Sequence, residues 1–141
     1  MSRYYIYLRK SSESEERQEL SIPAQESELL AFAAEKGLAL AGKPFVESRS
    51  AKEPGRPVFN EVIDRVCRGE TDGILVWKLD RLARNPIDGG RLMYALGRGQ
   101  IRSIVTPDRT YTGTGDDKLL MSIIFGMATK YSDDLSVNIK R

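Results

Sequence analysis

Hydrophobic residues fall along this chain in two alternating rhythms. Arg3 to Arg9 reads Arg-Tyr-Tyr-Ile-Tyr-Leu-Arg, aromatic and β-prone. Gly73 to Trp77 (Gly-Ile-Leu-Val-Trp) is a short unbroken apolar run, as expected of a strand buried on both faces. Leu38 to Glu47 and Ile101 to Thr106 predict two more strands, the first containing Gly42 and Pro44, which strands rarely carry. Between these runs the spacing becomes helical. Pro23 opens a segment reaching Lys36, with Leu29, Leu30, Phe32 and Ala33 on one side and Gly37 at its end. Pro57 opens a second, carrying Val58, Val62, Ile63 and Val66 and closed by Gly69. Asn85-Pro86 reads as the cap and first position of a third, with Leu92, Met93 and Leu96 inward and Gly99 beyond. Lys10–Ile22, Ser48–Arg56 and Pro107–Gly115 read as loops. The alternation predicts an α/β fold, a mostly parallel sheet of about four strands flanked by helices.

The end of the chain is different. From Asp116 onward there is no proline, and Leu120, Ile124, Met127, Tyr131, Leu135 and Ile139 recur every three or four residues. This is one apolar stripe on a helix roughly 39 Å long. A body spanning residues 1–115 is too small to cover it. The helix, residues 116–141, is therefore expected to project and pair with another subunit, and the natural protein is expected to continue past Arg141.

Composition narrows the chemistry. The 141 residues suit one domain large enough to fold without disulfides or metal. There is no histidine and one cysteine, Cys67. Histidine-based triads, structural zinc sites and an intrachain disulfide are thereby excluded. No run is long enough to span a membrane, and the N-terminus lacks a signal-peptide core, so a cytoplasmic, nucleoid-associated location is expected, without a membrane partner. The net charge of +2 predicts no nucleic-acid partner by itself. Charge is uneven, however: between Lys78 and Arg109 seven bases stand against three acids.

Neither a P-loop nor a dinucleotide-binding glycine pattern is present. Asp116-Asp117 and Asp133-Asp134 are adjacent pairs, which on a helix diverge by about 100° and clamp metal poorly; the first pair suits a helix N-terminus. Three strand ends are more informative. Arg9-Lys10-Ser11-Ser12 follows the first strand, Glu47-Ser48-Arg49-Ser50 with Arg56 the second, and Lys78-Leu79-Asp80-Arg81-Leu82-Ala83-Arg84 the third. Ligands of open α/β sheets collect outside such carboxyl ends. Arg81 and Arg84, three apart, would share a face of a helical turn and match phosphodiester oxygens. Asp80 would orient one of them or exchange a proton. Serine among arginines, without histidine or metal ligands, points to phosphoryl transfer with serine as nucleophile.

These residues resemble the catalytic domain of the serine recombinases, the resolvase/invertase family, and most closely its large serine integrase branch. Tyr7-Leu8-Arg9-Lys10-Ser11 is similar to the family's Tyr-x-Arg-x-Ser motif, Ser21-Ile22-Pro23-Ala24-Gln25 to its Ser-Leu/Ile-x-x-Gln segment, and Leu79–Arg84 to Leu-Asp-Arg-Leu-x-Arg, with Arg56 in the Gly/Ser-x-Arg-Pro-x-Phe position. The resemblance implies that Ser11 attacks a DNA phosphodiester, leaving a 5′-phosphoserine and a free 3′-OH. It implies that Arg9, Arg81 and Arg84 hold the phosphate, that Gln25, Ser50, Arg56 and Lys78 support them, and that Asp80 positions the cluster and assists proton transfer. It further implies no cofactor, metal or ATP, double-stranded DNA as partner, and dimers that pair into tetramers through the last helix. The Glu-Arg pair of many small resolvases is absent from that helix, where the chain reads Ala128-Thr129-Lys130-Tyr131-Ser132-Asp133-Asp134; the ending Leu135–Arg141 resembles the large branch. The other readings of the same residues are a phosphate-binding α/β module without catalysis and a regulator that dimerises through the last helix.

Overall fold

Both faces of β1 (Arg3–Arg9) are apolar, and this places it inside a sheet rather than at an edge. Tyr5 and Tyr7 point into one core, Tyr4, Ile6 and Leu8 into another, following the two-residue period of a strand. The structure is a computed structural model and describes residues 3–9, 21–47 and 56–126. After β1 come α1 (Ile22–Lys36), β2 (Ala39–Leu40), β3 (Phe45–Glu47), α2 (Pro57–Cys67), β4 (Gly73–Val76), α3 (Leu79–Leu82), α4 (Pro86–Gly97), β5 (Ser103–Val105), β6 (Thr110–Tyr111) and a helix, α5, over residues 115–126. The six-stranded sheet has the order β2-β1-β4-β5-β6, and β3 also pairs with β1. Every pairing is parallel except β5 with β6.

The mostly parallel α/β sheet agrees with the alternation of the sequence. Three details differ. The second strand is two short ones, because Gly42 takes a left-handed turn (φ 58°) just before Pro44, and the chain rejoins β1 further along. The segment 107–115, expected as loop, contains β6, which closes back antiparallel on β5. Leu30 is exposed; α1 instead buries Gln25, Leu29 and Ala33.

α1 covers one face of the sheet, whereas α2, α4 and α5 cover the other. Ser21 caps α1, its Oγ accepting from the Ala24 N–H at 3.3 Å. Asn85 caps α4, its Oδ1 accepting from the Asp88 N–H at 2.8 Å, with Pro86 in the first turn as the sequence predicts. α5 begins one residue before the expected Asp116, and its described part does not stand clear of the body. Met121 and Phe125 are 0% and 4% exposed in the main core, and Leu120 and Ile124, expected to face a partner, are half-buried against that core. The large apolar side chains that its described part leaves in solvent are Leu119 and Ile123. Met127, Tyr131, Leu135 and Ile139 lie outside the described residues.

Candidate active site

The carboxyl ends of β1 and β4 lie side by side where strand order reverses, with β2 and β3 on one side and β5 on the other. Such a switch point is the usual ligand crevice of an open α/β sheet. β1 brings Arg9 there. β4 leads through Trp77 and Lys78 into α3, which is one turn between extended Lys78 and Ala83. An isolated turn has little stability of its own and leaves its last carbonyls unpaired. Two buried guanidinium groups supply the missing donors. Arg9 donates from Nε to the Arg81 carbonyl at 2.8 Å and from Nη2 to the Asp80 carbonyl at 3.4 Å. Arg56 donates from Nη2 to the Leu82 carbonyl at 2.6 Å. Gln25, buried in the first turns of α1, donates to the Arg9 carbonyl at 3.1 Å and so ties that helix to the end of β1.

The segment so held carries Arg81 and Arg84, both buried. They are not on one helical face as expected: α3 ends at Leu82, and Ala83 is extended (φ −152°), so Arg84 leaves along a different path. Arg81 Nε lies 3.7 Å from Asp80 Oδ1, whose side chain is partly exposed. Lys78 stands exposed at the rim. A cleft of about 460 Å³ opens beside the turn, lined by Trp77, Lys78, Leu79, Asp80, Tyr111 and Ile124 among others. The structure thus brings Arg9, Gln25, Asp80 and Arg81 together at one strand end, with Arg84 buried two residues past the turn. Ser11 and Ser50 lie outside the described residues; Ser11 is two positions beyond Arg9 in sequence.

Arg56 is 2% exposed and sits behind the turn. Its Nη1 donates to the Tyr7 hydroxyl at 2.9 Å, and its Nη2 pairs with Asp88 Oδ2 at 3.0 Å. The Tyr7 hydroxyl in turn donates to Glu47 Oε1 at 2.5 Å. Burial pushes the Tyr7 phenol far above its ordinary value, so it remains a donor. Glu47 also accepts from the Val58 and Phe59 N–H groups, both at 3.1 Å. A carboxylate from β3 therefore caps α2, whose own N-cap residue, Arg56, makes no side-chain cap bond and sends its side chain inward.

The family model described as the resolvase N-terminal domain matches residues 4–141. The chain belongs to the resolvase family of serine recombinases. No curated protein sequence matches it. Among solved structures it is similar to the N-terminal catalytic domain of TP901-1 integrase, at 21% identity and a TM-score of 0.65, over 94% of this chain and 98% of that one. It is similar to the C-terminal catalytic domain of ISC1926 TnpA, an IS607-like serine recombinase, at 18% identity and TM-score 0.59, over 86% of this chain and 77% of that one. A resolvase family site-specific recombinase from Streptococcus pneumoniae aligns at 21% identity and TM-score 0.58, over 99% of this chain and 94% of that one. At these identities the likenesses establish the fold.

In this recombinase domain the residues that sequence reasoning passed over are Asn85 and Asp88. Asn85 was visible as a helix cap, but a second bond, from its Nδ2 to Asp88 Oδ2 at 2.8 Å, shows only in three dimensions. Among the described residues no group of three acidic, cysteine or histidine side chains could hold a metal, and no helix is long and apolar enough to cross a membrane. Burial pushes the Cys67 thiol up, away from the thiolate a nucleophile needs.

Proposed function

We propose that this domain cuts and rejoins DNA through a serine–phosphate bond. The observation that carries the reading is the buried Arg9 at the carboxyl end of β1, bonded to the turn after β4 that carries Arg81 and leads to buried Arg84, with Ser11 two residues beyond β1 in sequence. Ser11 Oγ attacks the scissile phosphorus; the Oγ–P bond forms, the P–O3′ bond breaks, and the serine proton is balanced by protonation of the leaving 3′ oxygen. Asp80, half-exposed beside Arg81, carries that proton in this reading. The guanidinium forks stabilise the added negative charge without metal or ATP. Gln25 and Arg56 support from behind, with Lys78 at the rim and Ser50 after β3. Religation reverses the step, since the phosphoserine keeps the bond energy. Dimers pairing into tetramers on two double-stranded DNA sites complete the reaction, with the last helix carrying the assembly.

The test is covalent capture. The protein is incubated with a duplex recovered by selection from a random-sequence pool, quenched in detergent, and resolved by gel. Wild type is expected to form an adduct on the 5′ end. Ser11→Ala is expected to abolish it while site binding persists, because affinity comes mostly from phosphate contacts. Adducts formed by Ser11→Ala, or lost with Ser12→Ala alone, would refute the assignment; duplex binding without adducts in wild type would favour a phosphate-binding module.

A further inference from the structure

We propose that Asp88 is a positioning residue for the phosphate-binding arginines, acting through Arg56 on the Leu82 carbonyl. The proposal rests on the recombinase reading above and assigns a role to a residue that never touches DNA.

The turn bearing Arg81 is too short to hold itself, and each of its last three carbonyls is taken by a guanidinium. Arg9 reaches the first two from β1. The third, Leu82, is the carbonyl nearest Arg84, and it depends on Arg56 Nη2. That same nitrogen lies on Asp88 Oδ2. A guanidinium this deeply buried needs a counter-charge, and Asp88, itself buried, supplies it. Asp88 is in turn fixed twice. Asn85 holds its backbone N–H and its carboxylate. The following residue, Gly89, lies so close to the Phe125 ring that an added Cβ would stand 2.7 Å from Cδ2. The first turn of α4 is therefore a rigid anchor, and the anchor reaches the arginine segment along one short chain of contacts, Asp88 to Arg56 to Leu82.

Stability alone is a poor reason for such a pair, since well-packed apolar residues commonly serve as well or better than buried ions. A fixed orientation is a better one. A guanidinium with one nitrogen on a carboxylate and the other on the Tyr7 hydroxyl has a single placement, and the Leu82 carbonyl is registered to it. Displacing a catalytic segment by about 1 Å costs on the order of 10²-fold in rate.

The experiment compares wild type, Asp88→Ala and Asp88→Asn in the intact protein, at a temperature where circular dichroism shows all three folded. Adduct formation on the selected duplex is timed, duplex affinity is measured separately, and exchange of the Ala83 amide, bonded to the Leu79 carbonyl at 3.2 Å, is followed. Asp88→Ala is expected to slow cleavage on the order of 10²-fold, to speed Ala83 exchange, and to leave affinity within about twofold, since Asp88 makes no phosphate contact. Asp88→Asn keeps an acceptor for Arg56 and should recover much of the rate. Cleavage by Asp88→Ala at the wild-type rate, or an unchanged Ala83 exchange, overturns the proposal, as does a loss of affinity equal to the loss of rate. A wild-type protein that forms no adduct overturns the recombinase reading and the catalytic part of this proposal with it. In that case faster Ala83 exchange in Asp88→Ala would still support the loop-fixing part.

Discussion

Two pairs of substitutions in α5 should behave in opposite ways. Phe125 is 4% exposed, and its ring lies on Gly89 of α4, where no side chain can move in to fill the space it leaves. Truncating a buried phenylalanine costs about 3–5 kcal/mol, the more so where the site cannot collapse. For Phe125→Ala about 4 kcal/mol is expected, a fall of roughly 13 °C in Tm for a domain of this size. Met121, 0% exposed, should lose about 2–5 kcal/mol on the same change. Leu119 and Ile123 are 63% and 49% exposed. Changing both to Asp should shift stability by no more than about 0.5 kcal/mol each, yet weaken self-association if this helix carries the proposed assembly, because each leaves apolar surface uncovered by the body of the domain. Urea unfolding followed by circular dichroism gives the first quantity, and sedimentation velocity on the same samples gives the second. The reasoning fails if Phe125→Ala lies within about 1 kcal/mol of wild type, or if the double aspartate variant unfolds. It also fails if that variant associates as wild type does while Ile124→Asp, on a half-buried position, associates less without losing stability.

Gly73 faces the Ser103 carbonyl so closely that a Cβ would stand 1.8 Å from its oxygen. Since neither backbone can give way without parting β4 from β5, Gly73→Ala should cost about 3 kcal/mol or more in thermal unfolding. The Asp117 carboxyl is held down at about 2 by the Arg109 guanidinium and the Thr112 N–H, joining the β6 hairpin to the start of α5. Its contribution is complete above the ordinary value of 3.8 and is lost as pH falls through about 2. The stability gap between wild type and Asp117→Asn, about 1–2 kcal/mol at neutral pH, should therefore close between pH 4 and pH 2 in a pH series of unfolding curves, and a gap independent of pH would contradict the assignment.

The parts of the fold that were legible in the sequence are those set by local pattern. The both-faces-apolar runs at Arg3–Arg9 and Gly73–Val76 are the central strands, and Asn85-Pro86 caps a helix as its chemistry requires. The three strand-end motifs lead to the same end of the sheet because parallel connections return each strand in the same sense. What was not legible depended on contacts far apart in sequence. A period of three and four marks Leu120 and Ile124 as apolar, but which neighbouring stripe meets the core was decided by where α4 lies, and that favoured Met121 and Phe125. The spacing of Arg81 and Arg84 read as one helical face because nothing local announces that Ala83 is extended. Arg56 was expected to support the phosphate-holding arginines, and only the fold shows that Asp88, Tyr7 and Leu82 are the groups around it.

The identity of these buried cations follows from the task the site is proposed to perform. Phosphoryl transfer without a metal needs positive charge that persists in a poorly solvated crevice. A lysine moved out of water loses its proton readily, whereas a guanidinium stays charged and offers a planar set of donors. Arg9, Arg56, Arg81 and Arg84 occupy the buried positions, and Lys78, the one lysine in the set, is left in solvent. Two of the four place donors on the turn itself. Arg9 and Arg56 give theirs to backbone carbonyls of the turn; Arg81 and Arg84 ride on the segment those carbonyls belong to. A chain with a net charge of only +2 can therefore carry a strongly cationic centre. Part of that charge is used in building the site, and the proposed role of the remainder is to meet an anion of the DNA backbone.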